Sequence, residues 1–199
     1  LMRAADGGVN DRSGLPTWLE QNLFGKATLG DLSRPGRPVV WINASDIYAK
    51  TPFVFEPVTF AAICSDWSSY PLSEAVAASA AVPIVFAPVV VRNWSQKCGF
   101  KLPDELEAQA RSRDTSPIVK AYLKALDSYR SGDQVQYIKL LDGGLTDNWG
   151  LSAFNVQMAA ASEPWRPMTR ADAISVSNFQ FIVVDAGRNV AGDWTKTLE

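Results

Sequence analysis

"RPVVWINA", residues 37–44, is a run of β-branched and aromatic side chains with no polar residue alternating through it until Asn43. A run of this kind marks a strand buried on both faces, the usual state of a strand inside a parallel sheet. Reading outward from it, "TPFVFEP" (residues 51–57) places Phe53 and Phe55 on one face and predicts a shorter strand, the return of a hairpin. "LSEAVAASAAVP" (residues 72–83) predicts a helix with Ser73 as N-cap, ended by Pro83, whose small side chains suit close packing on a sheet. "SPIVKAYLKALDSYRSG" (residues 116–132) predicts a second helix. Ser116 caps it, Pro117 opens the first turn, Ile118, Tyr122, Leu126 and Tyr129 share a face, and Gly132 stops it. A strand over residues 135–141, a helix through "GLSAFNVQMAAA" and a buried strand "FQFIVVDAG" (residues 179–187) follow, while "LPTWLEQNLFG" near the start reads as a short helix. Buried strands alternating with helices predict an α/β domain whose largely parallel sheet is flanked by helices.

The 199 residues fit one domain, and no apolar run is long enough to span a bilayer. A net charge of -2 with scattered basic residues leaves no electrostatic footprint for nucleic acid, so no nucleic-acid partner is expected. Histidine is absent, which removes Ser-His-Asp and Cys-His catalysis and histidine-based zinc sites from this stretch. Proton transfer must then fall to carboxylate, Lys, Tyr or Cys. Cys64 and Cys98, the two cysteines, lack the short spacing of a metal knuckle or a C-x-x-C pair, so neither a metal nor another cofactor is expected. They fit two buried thiols in a cytosolic protein or one disulfide in an exported one, and the polar setting of Cys98, "NWSQKCGFKL", favours the disulfide and with it export. Leu1 in place of Met, and the close on "TKTLE", read as a chain cut at both ends. The seven tryptophans, with Trp67, Trp94 and Trp149 among them, include candidates to dock on lipid headgroups, although most of the seven are read as buried.

Chemistry concentrates at "IKLLDGGLTDNWG" (residues 138–150), where an apolar strand stops at Asp142 and two glycines follow. The ordinary reading is an Asp-Gly turn in which Asp142 bonds the local backbone. Strand ends are also where α/β proteins gather functional groups, which qualifies Asp142 and, in "VVDAG", Asp185. Asp185 reads as a strand terminator bonding nearby N–H groups. Asp142 has the stronger claim, because a serine hydrolase without histidine works when a carboxylate takes the serine proton directly, and Gly143 and Gly144 let other groups come close.

Three stretches, in order, make the chain resemble the patatin-like phospholipase family: "GRPVVWINASDIYAKTPFVF", "AVAASAAVPIVFAPV" and "LLDGGLTDNWGL". They are similar to that family's buried strand with its return strand, its A-S-A-A-x-P-x-x-F-x-P segment, and its D-G-[GA] motif. The resemblance implies a three-layer α/β/α fold and a Ser-Asp dyad in which Asp142 is the carboxylate, supported by Gly143 and Gly144. It implies a lipid or acyl ester as substrate and transient contact with a membrane surface. The family's G-x-S-x-G elbow and glycine-rich oxyanion loop have no counterpart, since no G-x-S-x-G occurs here, and Ser152 in "WGLSAF" lacks the second glycine. Residues 1–199 are therefore expected to form the C-terminal part of a single patatin-like domain that lacks its nucleophile half. The alternative is a non-catalytic relative that keeps the fold for binding lipid or protein.

Overall fold

The computed structural model describes residues 14–34, 38–131, 134–165, 168–178, 180 and 182. Helix α1 (Gly14–Leu19) runs into a π turn at Glu20–Phe24 and stops at Gly25, whose φ of 57° suits glycine. Strands β1 (Asn43–Asp46) and β2 (Thr51–Val54) are followed by helices α2 (Pro57–Ala62) and α3 (Leu72–Ser79), then by strand β3 (Val89–Arg92). Helices α4 (Asp104–Arg111) and α5 (Pro117–Arg130) lead to strand β4 (Tyr137–Leu141). The short α6 (Gly144–Asp147), α7 (Ser152–Ala159) and α8 (Arg170–Ser175) complete the described helices.

The four strands form one sheet in the order β2-β1-β4-β3, and every neighbouring pair is antiparallel. The chain is α/β, but the largely parallel sheet expected from the sequence is not formed. Two causes are visible. First, residues 38–42 precede the strand instead of belonging to it, and Val39 and Val40 are 66% and 50% exposed, so the apolar run is not an interior strand. Secondly, β1 returns at once through a four-residue turn. The Asp46 carboxylate accepts from the Tyr48 and Ala49 N–H groups at 2.8 and 3.1 Å, and the Lys50 N–H closes on the Asp46 carbonyl at 2.9 Å with φ 55°. A turn this short admits only an antiparallel partner. The expected strand over residues 179–187, with Asp185, lies largely outside the described residues.

One face of the sheet is buried along all four described strands, and at β1 and β2 the other face is covered as well, with Ser45, Pro52 and Val54 buried. The register sets Ala44 opposite Phe53, Leu140 opposite both Asp46 and Val89, and Ile138 opposite Val91, all of them buried. The alternate residues Lys139, Leu141 and Val90 are only half-buried. Helix α5 covers the buried face. Its Ser116 cap accepts from the Val119 N–H at 3.3 Å, and Val119, Tyr122, Leu126 and Tyr129 point inward. Ile118, expected on that face, is exposed, because the helix is rotated to bury its neighbour Val119. Helix α3 begins at Leu72 after Pro71, so Ser73 is a buried residue of the first turn and not its cap. The rings of Phe53, Phe55, Phe60 and Tyr70 meet edge-on or tilted at 5.0 to 6.2 Å between centroids, a geometry that adds to the burial of their area. None of the described tryptophans is fully buried; Trp149 is exposed, and Trp67 is half-buried with its Nε1 donating to the Phe55 carbonyl at 2.9 Å.

Two carboxylates lie under α5. The Tyr129 hydroxyl donates to Asp46 Oδ2 at 2.7 Å, and the Tyr122 hydroxyl donates to Glu56 Oε1 at 2.6 Å. Gln157 of α7 donates to the other Glu56 oxygen at 2.5 Å. Thr59 of α2 shares a 2.9 Å bond with the Tyr122 hydroxyl. Both described partners of the Glu56 carboxylate are uncharged, and burial raises its pKa above the ordinary 4.5. Cys64 and Cys98 are bonded as a disulfide with Cα atoms 5.9 Å apart, which ties the end of α2 to the 3-10 turn Ser95–Lys97 across 34 residues of chain. Among the described residues no helix is long and apolar enough to cross a membrane.

Replacing both cysteines by alanine is expected to lower the unfolding free energy by about 3–4 kcal/mol, the loop-closure value for a ring of this size, read by urea denaturation. The folded state holds the Glu56 proton more tightly than the unfolded chain does. Its stabilising contribution is therefore complete below pH 4.5 and is lost as pH rises from there through the raised folded value. Glu56→Gln keeps the bond from Tyr122 and lets Gln157 turn its amide, so the difference in stability between variant and native protein should move in the variant's favour as pH rises from 4 to 8. Parallel stability curves over that range would show that Glu56 does not carry this linkage.

Candidate active site

Strand β4 leaves the sheet at Leu141, and the next two N–H groups take new partners. The Asp142 N–H donates to the Ala81 carbonyl at 2.9 Å and the Gly143 N–H to the Ser79 carbonyl at 3.0 Å. A helix ends with carbonyls that have no partner within it; the Gly143 N–H satisfies that of Ser79, the last residue of α3, and the Asp142 N–H that of Ala81 just beyond its cap. The Ala-rich helix and the Asp-Gly-Gly corner are thus two sides of one backbone junction.

Each glycine answers to space. Gly143 has ordinary helical angles, φ -60° and ψ -30°, but a Cβ there would stand 2.6 Å from the Asn43 carbonyl oxygen of β1. At Gly144 a Cβ would come within 2.9 Å of both Asp142 Oδ1 and Asn148 Oδ1. The second glycine therefore leaves room for the carboxylate, and its N–H donates to Asp142 Oδ1 at 2.8 Å. Asp142 is half-buried at the C-terminal end of β4, and the turn bond of the ordinary Asp-Gly reading is present. It uses one oxygen; among the described residues no donor reaches Oδ2.

Two residues that the sequence reading did not single out hold the corner in place. Ser45 of β1, buried, donates to the Asp142 carbonyl at 2.7 Å and shares a 2.8 Å bond with the Thr146 hydroxyl. Asp147 accepts from the Leu151 and Ser152 N–H groups at 3.1 and 2.7 Å and from the Asn43 side chain at 3.2 Å, which fixes the start of α7 against β1. The bonds by which they join the corner to β1, Ser45 to the Asp142 carbonyl and Asn43 to Asp147, span about a hundred residues and have no local signature in the sequence. Ser152 itself is buried, its hydroxyl has no partner among the described residues, and no bond connects it to Asp142. It is not placed to act as the nucleophile.

The rim of the corner is apolar. The 82–85 segment, which follows the Ala81 carbonyl bonded to Asp142, exposes Val82, Val85 and Ile84. Ile84 is 79% exposed at φ 75°, a conformation that β-branched residues rarely adopt. On the other side Leu145 and Trp149 are also exposed. The arrangement offers a carboxylate with one oxygen anchored and one without a donor among the described residues, at a strand end whose neighbouring segments expose apolar side chains. No family model, curated protein or solved structure matches the chain. The class that fold and site define is accordingly a broad one, an α/β protein with a four-stranded antiparallel sheet and a carboxylate presented at a strand-to-helix corner.

Gly143→Ala should destabilise the protein by about 1–3 kcal/mol, the usual range for a methyl forced into filled space, because the Asn43 carbonyl belongs to a paired strand and has little freedom to retreat. Thermal unfolding checks this. An unchanged midpoint would mean that the contact between the corner and β1 is looser than the structure has it.

Proposed function

We propose that the chain carries the base of a lipid acyl hydrolase, with Asp142 as the carboxylate of a Ser-Asp dyad and an acyl ester as substrate. The observation that carries this reading is the state of the Asp142 carboxylate: Oδ1 is held by the Gly144 N–H, while Oδ2 is unengaged among the described residues. In the proposed reaction a serine hydroxyl attacks the ester carbonyl as Asp142 takes its proton. The tetrahedral intermediate collapses, the C–O bond to the alcohol breaks, and Asp142 returns the proton to the leaving oxygen. Water then attacks the acyl-enzyme, giving its proton to Asp142; the bond from the acyl carbon to the serine oxygen breaks, Asp142 returns the proton to that oxygen, and the free acid leaves. Backbone N–H groups would hold the oxyanion. The 199 residues contain no G-x-S-x-G elbow, so on this proposal the serine and oxyanion donors come from sequence outside them.

The disulfide between Cys64 and Cys98 supports an oxidising compartment, and we extend the proposal to an exported protein. A second reading, a non-catalytic domain that binds lipid or protein, draws support from the exposed Val82, Ile84 and Trp149 around the corner. The two readings part at Asp142, which a binding domain does not need.

The test is hydrolysis of a short-chain ester by the protein extended upstream of Leu1, against its Asp142→Asn variant. Asparagine keeps an acceptor for the Gly144 N–H but cannot take a proton, so kcat should fall by about 10²–10⁴ with little change in stability. Residues 1–199 alone should show no turnover. Equal hydrolysis by native and variant proteins would refute the dyad role, and hydrolysis by neither would leave the binding reading.

A further inference from the structure

Helices α4 and α5 are joined by a five-residue connection, 112–116, which makes them antiparallel neighbours. Thr115 closes the connection, its hydroxyl bonding the Gln109 carbonyl and the Gln109 side chain, each at 2.7 Å. Beyond this point the helices do not close on each other. A cleft of about 690 Å³ runs between them, within the range of small-molecule sites.

Half-buried Leu102 and buried Leu123 give the cleft an apolar base, Ala110 is an exposed apolar residue of the lining, and the rest of the lining is charged. It comprises five cationic side chains and three carboxylates, in a chain whose net charge is -2. Two of the carboxylates are already matched: Arg111 pairs with Glu107 at 2.5 Å and Arg130 with Asp127 at 3.5 Å. Lys120 is anchored by donating to the Arg113 carbonyl at 2.7 Å, an acceptor with no formal charge to pair with it. Lys101 and Lys124 make no bond among the described residues, and only Asp104 remains to offset the three lysines. The surplus is positive, and it lies over an apolar base.

We propose that this cleft binds a single-chain anionic amphiphile, a medium- or long-chain carboxylate, with its tail along Leu102, Ala110 and Leu123 and its head between Lys101 and Lys124. Neither half of the ligand suffices. An inorganic anion leaves the apolar base wet, and a neutral chain leaves the lysines unmatched. The eight residues of α4 span about 12 Å at 1.5 Å per residue, the length of an extended chain of about ten carbons. The cleft stands on its own geometry and does not depend on Asp142 as a catalytic base, although a carboxylate is also the acid that ester hydrolysis would release.

Decanoate, kept below its micelle concentration, should bind saturably in isothermal titration, while decanol binds at least tenfold more weakly and inorganic phosphate does not bind. Lys101→Gln with Lys124→Gln, both exposed positions, should weaken decanoate at least tenfold. Ala110→Trp, also at an exposed position, should abolish binding by filling the cleft, with the unfolding midpoints of both variants checked against the native protein. Asp142→Asn should bind decanoate as the native protein does, which keeps this proposal separable from the hydrolase reading. Absence of saturable binding, equal affinity for decanol, or binding untouched by Ala110→Trp in folded protein would overturn it.

Discussion

A carboxylate buried among apolar side chains needs donors, and the donors that Asp46 recruits organise this chain. One oxygen takes the N–H groups of Tyr48 and Ala49, which makes the turn that reverses β1 into β2; the other takes the Tyr129 hydroxyl, which seats the end of α5 over the sheet. Asp46 is also one of the two β1 residues that pair with β4, opposite Leu140. Turn, helix docking and strand pairing therefore converge on a single side chain. Tyr122, seven residues before Tyr129 and so about two turns back on the same face of α5, repeats the device on Glu56. Burial raises the pKa of both phenols, which keeps them as donors wherever the fold is stable.

How far the sequence foretold this depends on the range of the interaction concerned. Local rules were sufficient for the Ser116 cap, for the hairpin return at Phe53 and Phe55, and for the end of a strand at Asp142. The pairing of Cys64 with Cys98 was anticipated from the polar setting of Cys98. Strand direction was misread, because it depends on the connection between strands and not on the residues within one. Val39, Val40, Trp41 and Ile42 carry the composition of an interior strand, yet they lead into one. The sign of a reversal was present in "SDIYAK", where an Asp stands two and three residues before the N–H groups that it accepts from. The bonds from α5 to Asp46 and Glu56 cross 83 and 66 residues and have no local pattern at all.

The candidate site shows the same division. "LLDGGL" was legible as a corner, and close approach was the reason that the glycines suggested. The group approached at Gly143 is the Asn43 carbonyl, and at Gly144 it is the Asp142 side chain itself, so positive φ has no part in it. Nor did either stretch disclose that "AVAASAAVP" and "LLDGGL" belong together because carbonyls at and just beyond the end of α3 accept from Gly143 and Asp142. Small residues in the helix and glycines in the corner satisfy one junction.

That junction separates what packing explains from what it leaves over. The contact with Asn43 accounts for Gly143, the room needed around Oδ1 accounts for Gly144, and the free carbonyls at and just beyond the end of α3 account for the course of the backbone. The Gly144 N–H accounts for an acceptor at position 142, but Asn or Ser would also accept from an N–H two residues on. Packing does not call for the second carboxylate oxygen, which no described donor reaches, nor for the apolar side chains left exposed beside it, Ile84 among them in a conformation that costs free energy to hold. The contrast with Asp46, Glu56 and Asp147 is direct, since each of these carboxylates has donors on both oxygens. Of these four acids Asp142 is the one with an oxygen that no described donor uses, and this surplus is the physical ground for assigning it the proton in the proposed chemistry.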